Sequence, residues 1–293
     1  MPPKRKILVG RDAADDFQKR RKFNELLTSL TIRDSSIRLD GRIFTLSHLQ
    51  ELCLENIGLD GERNQRLLKQ LCRLPNLKTL SLANNSLVDI SIEICDAISS
   101  GLQQLVLSDN QLLELPRRLT RFKNLVALDA SNNKIEYVHE NFCLLRSLQF
   151  LKLQQNNLRN VPYSLLYGHR YRELDLSGNS QLFIKHAEVV EGNPSEVPYL
   201  KVLTLARLFN INENSDHLLP EHLKSERDQL LHRCFMCCKN IGFHGTDYVK
   251  HGQIDVRNCG ENVYYKQSEV MINFIAYVCT DCRSKAVRFK IFP

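Results

Sequence analysis

The stretch Leu77-Lys78-Thr79-Leu80-Ser81-Leu82-Ala83-Asn84-Asn85-Ser86-Leu87 decides the fold. Apolar residues stand at its first, fourth, sixth and eleventh places, and asparagine at its ninth. The pattern returns at Leu102, Leu105, Leu107, Asn110 and Leu112, and at Leu148, Leu151, Leu153, Asn156 and Leu158. Another copy uses Leu125, Leu128, Ala130, Asn133 and Ile135. Looser copies flank these: at Leu49, where Ile57 holds the asparagine place, and at Tyr171, where the last apolar place slips from Gln181 to Leu182. Starts at 49, 77, 102, 125, 148 and 171 settle to a spacing of 23 residues. The alternation Leu80-x-Leu82 predicts a short strand with both leucines on one face. The ninth-place asparagine suits the turn that follows, because its amide satisfies backbone groups there.

One such unit cannot bury its own leucines, but stacked units share a continuous core. The six copies resemble the leucine-rich-repeat signature. The return halves carry their own apolar sets, Leu115, Leu119 and Phe122 after Pro116, and Leu165 after Val161 and Pro162. The predicted class is α/β: a leucine-rich-repeat solenoid followed by a short α-helical box segment and a small zinc-ribbon-like β domain. The predicted boundaries are 1–44 for a basic tail and N-terminal cap, 45–192 for six repeats, 193–230 for the helical segment and 231–293 for a paired-cysteine domain. Solenoids of this kind bind rather than catalyse. The strand residues expected to point outward include Glu51, Glu55, Thr79, Ser81, Gln104, Ser108, Asp129, Ser131, Phe150, Lys152, Glu173 and Asp175. Among them Gln104, Asp129, Phe150, Lys152 and Asp175 are candidate target contacts, with Phe150 as an aromatic anchor among polar neighbours.

The chain carries a net charge of +7, placed at its ends. Residues 1–22 hold eight Lys/Arg against three Asp, and residues 231–293 nine against five, which leaves −2 for the stretch between. A near-neutral solenoid weighs against direct nucleic-acid binding. No apolar run reaches the ~18 residues of a membrane span, and the basic N-terminus lacks the apolar core of a secretory signal. Lys4-Arg5-Lys6, a gap of twelve residues and Lys19-Arg20-Arg21-Lys22 resemble a bipartite nuclear import signal, so the expected location is the nucleus.

Ten cysteines in a reducing compartment point to thiols or metal rather than a disulfide scaffold. Cys234-x-x-Cys237 and Cys279-x-x-Cys282 form two knuckles whose thiolates suit one tetrahedral structural Zn²⁺. The alternating run Met271–Val278 predicts a strand that delivers the second knuckle, and Val287, Phe289 and Ile291 suggest another. The order of ligands needed for a RING cross-brace is missing, and the sequence shows no P-loop, G-x-S-x-G or H-E-x-x-H.

Between repeats and cysteines, Glu191–Pro198 is rich in structure breakers. Pro198 suits the first place of a helix on which Leu200, Thr204 and Leu208 share a face. Leu218-Leu219-Pro220-Glu221-His222-Leu223 follows. A leucine helix followed by L-P-x-x-L resembles the elongin and cullin boxes of cullin-2 substrate receptors. With repeats before it and paired cysteines after it, the chain resembles the leucine-rich repeat protein 1 family over about residues 45–293. That resemblance implies a non-catalytic receptor subunit of a nuclear cullin-2 ubiquitin ligase, which presents the replicative helicase for ubiquitylation when DNA replication ends. It implies that Leu200, Thr204 and Leu208 meet elongin C, in complex with elongin B, and that Leu219, Pro220 and Leu223 meet cullin-2. Thr204 stands where the elongin box prefers cysteine or another small residue. The alternatives are a nuclear leucine-rich-repeat scaffold without a ligase link, and a nucleic-acid-binding zinc ribbon.

Overall fold

Each of the six leucine copies delivers one short parallel strand, because only an extended backbone puts Leu80 and Leu82, or their counterparts, on the same side. A computed structural model of the 293-residue chain describes residues 6–9, 27–33, 39–59, 62–166, 171–183, 190–191, 231–234, 240–242, 248–255, 263–264, 271–278 and 282. Its strands are β1 (Lys6–Val9), β2 (Ser29–Arg33), β3 (Glu51–Glu55), β4 (Thr79–Ser81), β5 (Gln104–Val106), β6 (Ala127–Asp129), β7 (Phe150–Lys152), β8 (Val161–Pro162), β9 (Glu173–Asp175), β10 (Val190–Glu191), β11 (Leu231–Arg233), β12 (Asn240–Gly242), β13 (Tyr248–Asp255), β14 (Val263–Tyr264) and β15 (Met271–Val278). The main sheet runs β1-β2-β3-β4-β5-β6-β7-β9-β14, and all of its pairings are parallel. The central leucines Leu52, Leu80, Leu105, Leu128, Leu151 and Leu174 sit side by side in register, each at most 1% exposed.

The asparagines form a ladder between turns. Asn110 Nδ2 donates to the carbonyls of Leu82, Leu107 and Ser108 at 3.0–3.1 Å. Its Oδ1 accepts from the N–H groups of Asn85 and Leu87 at 3.0 Å. Asn85, Asn133, Asn156 and Asn179 repeat the arrangement, each reaching back to the preceding copy. In the first copy Ile57 is buried at the ninth place, and its N–H donates to Asn85 Oδ1 at 3.0 Å. One residue earlier in every copy the backbone is left-handed: Asn56, Asn84, Asp109, Asn132 and Gln155 have φ of 52–57°, and Gly178 has 73°. Asparagine, aspartate and glycine tolerate that conformation best. A Cβ on Gly178 would also lie 2.7 Å from the Gln155 side chain. Gly178→Val is therefore expected to destabilise the protein by about 1–3 kcal/mol, read as a lowered denaturant midpoint.

The return segments shorten with the repeat. The return segment of the first copy, whose full length is 28 residues (77 minus 49), holds helix α1 (Glu62–Leu68) and a 3-10 turn at Lys69–Arg73. That of the second copy, 25 residues in all (102 minus 77), holds α2 (Ile92–Ala97), whose first turn is capped by Ser91. The third and fourth use only 3-10 turns, Arg117–Arg121 and Glu140–Leu144. A 3-10 turn rises about 2.0 Å per residue against about 1.5 Å in an α-helix, so it spans the repeat with fewer residues. Pro116 and Pro162 stand at the entries of their segments as expected, the second just before helix α3 (Tyr163–Leu166).

The main sheet takes strands from outside residues 45–192 at both of its ends. Strand β2 pairs with β3, with Ser29 opposite Glu51, and β1 pairs with β2, with Lys6 opposite Ser29, one 23-residue spacing apart (29 minus 6). The sheet thus begins ahead of residue 45; Leu30 and Ile32 supply the buried alternation without a ninth-place asparagine. Leu30 lies in β2. At the other end the C-terminal segment clasps the last repeats. Strand β14 adds in parallel to β9. Strand β15, predicted from its alternation, adds in parallel to β8 and pairs antiparallel with β13. Asn273 Nδ2 donates to the carbonyls of Arg159 and Gln181 at 3.3 Å, and the Phe274 ring meets Tyr163 edge-on at 5.0 Å. Ile272, Phe274 and Ala276 belong to the same buried core as the repeat leucines.

Candidate binding face

The sheet register assembles the candidate target contacts from separate repeats. One row across the open strand face runs Glu51, Thr79, Gln104, Ala127, Phe150, Glu173. The next runs Cys53, Ser81, Val106, Asp129, Lys152, Asp175. All five candidates therefore share one face: Gln104 is exposed, and Phe150, Lys152, Asp129 and Asp175 are half-buried. Phe150 lies between Ala127 and Glu173, so a small residue leaves one side of the ring open.

Several polar groups on this face are already engaged. Asp129 Oδ1 accepts from the N–H and hydroxyl of Ser131 at 3.0 and 2.6 Å, and Asp175 Oδ1 accepts from Ser177 in the same way at 3.0 and 2.7 Å. These carboxylates hold the turn after the strand while keeping a second oxygen. Lys152 pairs with Glu173 at 3.2 Å, and Arg33 with Glu55 at 2.6 Å. Ser81, Ser108 and Ser131, expected to point outward, are buried; the Ser81 hydroxyl donates to Glu55 at 3.0 Å. Burial pushes the Cys53 thiol up, against a hydrogen bond from Thr31, so it is protonated at neutral pH. The two rows and their flanks carry Glu51, Glu55, Asp129, Glu173 and Asp175 against Arg33 and Lys152, an acidic balance that repels phosphate.

Sequence similarity bears on the repeats. Leucine-rich repeat-containing protein 58 of Xenopus tropicalis is 34% identical over 102 residues, 34% of this chain and 29% of that protein. Acidic leucine-rich nuclear phosphoprotein 32 family member A of Drosophila melanogaster is 36% identical over 138 residues, 45% of this chain and 49% of that protein. The six-copy pattern, the asparagine ladder and the all-parallel sheet agree with these matches. The centre of the chain is a leucine-rich-repeat solenoid. The chain spans less than half the length of the curated relatives it matches. No family model matches it. Internalin C2 of Listeria monocytogenes superposes with a TM-score of 0.43 at 23% identity, covering 53% of this chain and 63% of that one.

The other candidate residues lie mostly beyond the leucine-rich-repeat solenoid. Leu200, Thr204, Leu208, Leu219, Pro220 and Leu223 fall outside the described residues, as do Lys4, Arg5, Lys19, Arg20, Arg21 and Lys22. Lys6 lies in β1, at the edge of the main sheet. Cys237 and Cys279 are likewise outside the described residues. Cys234 directly follows β11 and Cys282 lies just beyond β15; both are buried, 0% and 7% exposed, in the common core. Each thiol is of a type that holds a structural metal, with Cys237 and Cys279 as the other two of the expected ligands. Among the described residues no three His, Cys, Asp or Glu side chains are grouped to hold a metal, and no helix is long and apolar enough to cross a membrane.

Proposed function

We propose that this chain is the substrate-recognition subunit of a nuclear cullin-2/elongin ubiquitin ligase, with the open strand face of the solenoid as its target-binding surface. The observation that carries the proposal is the order of parts: a repeat array with Phe150 on a polar strand face, then the Leu200/Thr204/Leu208 helix pattern and Leu219-Pro220-x-x-Leu223, then paired cysteines. In this reading the chain performs no bond chemistry. Leu200, Thr204 and Leu208 dock on elongin C, bound to elongin B. Leu219, Pro220 and Leu223 select cullin-2, and the solenoid holds a protein target beside the ubiquitin carrier. Tethering raises the effective concentration of target lysines there. By the family resemblance the target is the replicative helicase at the end of DNA replication. Cys234, Cys237, Cys279 and Cys282 hold one structural Zn²⁺, which locks the C-terminal strands, and the basic clusters at 4–6 and 19–22 direct nuclear entry.

Leu200→Ser tests the ligase link. Loss of a buried leucine removes roughly 1.5–3 kcal/mol, so elongin C binding should fall by about tenfold or more. Pro220→Ala with Leu223→Ala should spare elongin C and reduce cullin-2. A protein whose melting temperature falls on Leu200→Ser, but which never binds elongin C unmutated, would be a leucine-rich-repeat scaffold instead.

A further inference from the structure

The solenoid is near-neutral in sum, but its charge is divided between two edges. The entry edge is made of the loops that lead from each return segment into the next strand: 46–50, 73–78, 98–103, 121–126, 144–149 and 171–172. These loops hold Arg73, Lys78, Arg121, Lys123, Arg146 and Arg172, all exposed, and no Asp or Glu. The exit edge, where the chain turns off each strand, is the reverse. Its exposed Asp89, Asp109, Glu114 and Glu136 outnumber Lys134 and Arg159.

Backbone hydrogen bonds fix the spacing of the entry edge. The Lys78 N–H donates to the Gln50 carbonyl, Gln103 to Lys78, Val126 to Gln103, Gln149 to Val126 and Arg172 to Gln149, all at 2.7–2.8 Å. Asn76 and Asn124 side chains tie the same loops, donating to the Ser47 and Ser100 carbonyls at 2.9 and 3.4 Å. Little acid offsets the cations. Asp96 of α2 pairs with Arg121, but Arg118 lies 3.9 Å from the same carboxylate and shares its charge. Arg73 donates to the neutral Gln70 at 3.3 Å. The return segments behind the edge, 62–72, 92–97, 117–120 and 140–143, hold five Lys/Arg against four Asp/Glu, so they do not neutralise it.

The chemistry of the edge selects an occupant. Parallel strands stack about 4.8 Å apart, so the row from Lys78 to Arg172 is roughly 19 Å long. At about 3.4 Å per phosphate along a strand, that length matches about six base pairs. Four of the six cations are arginines, whose planar fork meets a phosphate with two parallel N–H groups. Gln103 and Gln149 stand between Lys78 and Arg172 as neutral donors for phosphate oxygens. None of the exposed large hydrophobics among the described residues (Val88, Leu113, Tyr137 and Met271) lies on this edge. It therefore lacks the apolar anchor around which a protein interface is built. No Phe or Tyr of these loops is exposed, so there is no platform on which unpaired bases could stack. We infer that the entry edge binds the phosphate backbone of duplex DNA without reading its sequence. The acidic open face with Phe150 stays free for a protein target, whether or not the chain serves a ligase.

The test is fluorescence anisotropy of the full chain with a labelled 16-base-pair duplex of arbitrary sequence, over a range of salt concentrations. Lys78→Gln with Arg146→Gln and Arg172→Gln should weaken binding at least tenfold at an unchanged melting temperature. The slope of log affinity against log salt should become shallower by about two to three, since each lost phosphate contact removes about 0.9. Arg73→Gln with Lys123→Gln should act in the same direction, and Lys134→Gln with Arg159→Gln on the exit edge should not. The basic ends could also hold DNA. Binding that survives both sets of entry-edge substitutions, and is lost when Lys19, Arg20, Arg21 and Lys22 become alanine, would overturn the inference. So would a glutamate-rich peptide that binds the entry edge as tightly as the duplex, which would make the occupant an acidic protein segment, or a single strand that binds more tightly than the duplex.

Discussion

Asn110→Ala is expected to cost about 3–5 kcal/mol of folding stability. Five hydrogen bonds converge on this side chain, which is 8% exposed. Each buried backbone group left without a partner costs about 1–3 kcal/mol, and relaxation of the turn recovers part of the sum. The bonds join two copies, since Leu82 and Asn85 belong to the repeat before. The loss should therefore weaken the interface between repeats two and three, not one turn alone. Urea unfolding followed by circular dichroism gives the number. Gln111→Ala, one residue on and exposed, should stay within about 0.5 kcal/mol of the parent. Equal effects at the two positions would mean that the asparagine ladder does not hold the turns.

Phe274→Ala should cost about as much, in the range of about 3–5 kcal/mol for a buried phenylalanine. The ring is 5% exposed and lies against Tyr163, while its own strand pairs with β8. The C-terminal strands are a clasp on the last repeats, so the damage should cross into the solenoid. Amide exchange at Val161 and Leu174 should quicken along with exchange at Ile272. Stripping the proposed zinc should act in the same direction. If residues 231–293 instead formed a separate module on a tether, exchange in β7 to β9 would not change.

The solenoid was legible because its signals are local. A leucine alternation sets each strand, and one asparagine sets each turn, all within eleven residues. The N-terminal strands were harder to see. Leu30 and Ile32 keep the buried alternation, but no asparagine follows them, and only the 23-residue offset between Lys6 and Ser29 marks β1 as a further unit. Strand β15 was visible as an alternating run, yet its docking was not, because Asn273 bonds to Arg159 across 114 residues. On the open face, alternation placed Gln104, Phe150, Lys152, Asp129 and Asp175 together. It did not show that two of these carboxylates hold their own turns, although the spacing Asp129-x-Ser131, repeated at Asp175-x-Ser177, was a usable sign. The left-handed eighth place was also written in sequence, as Asn56, Asn84, Asp109, Asn132 and Gly178.

The central claim is that the repeats and the segment after them join a protein target to a cullin-2 ligase. Affinity purification of the full chain from nuclei, with quantitative identification of what accompanies it, tests that most directly. Elongin B, elongin C and cullin-2 should be recovered in near-stoichiometric amounts, with helicase subunits enriched when replication is finishing and lost on Phe150→Ala. A purification that returns the chain without elongin C and cullin-2 would contradict the account.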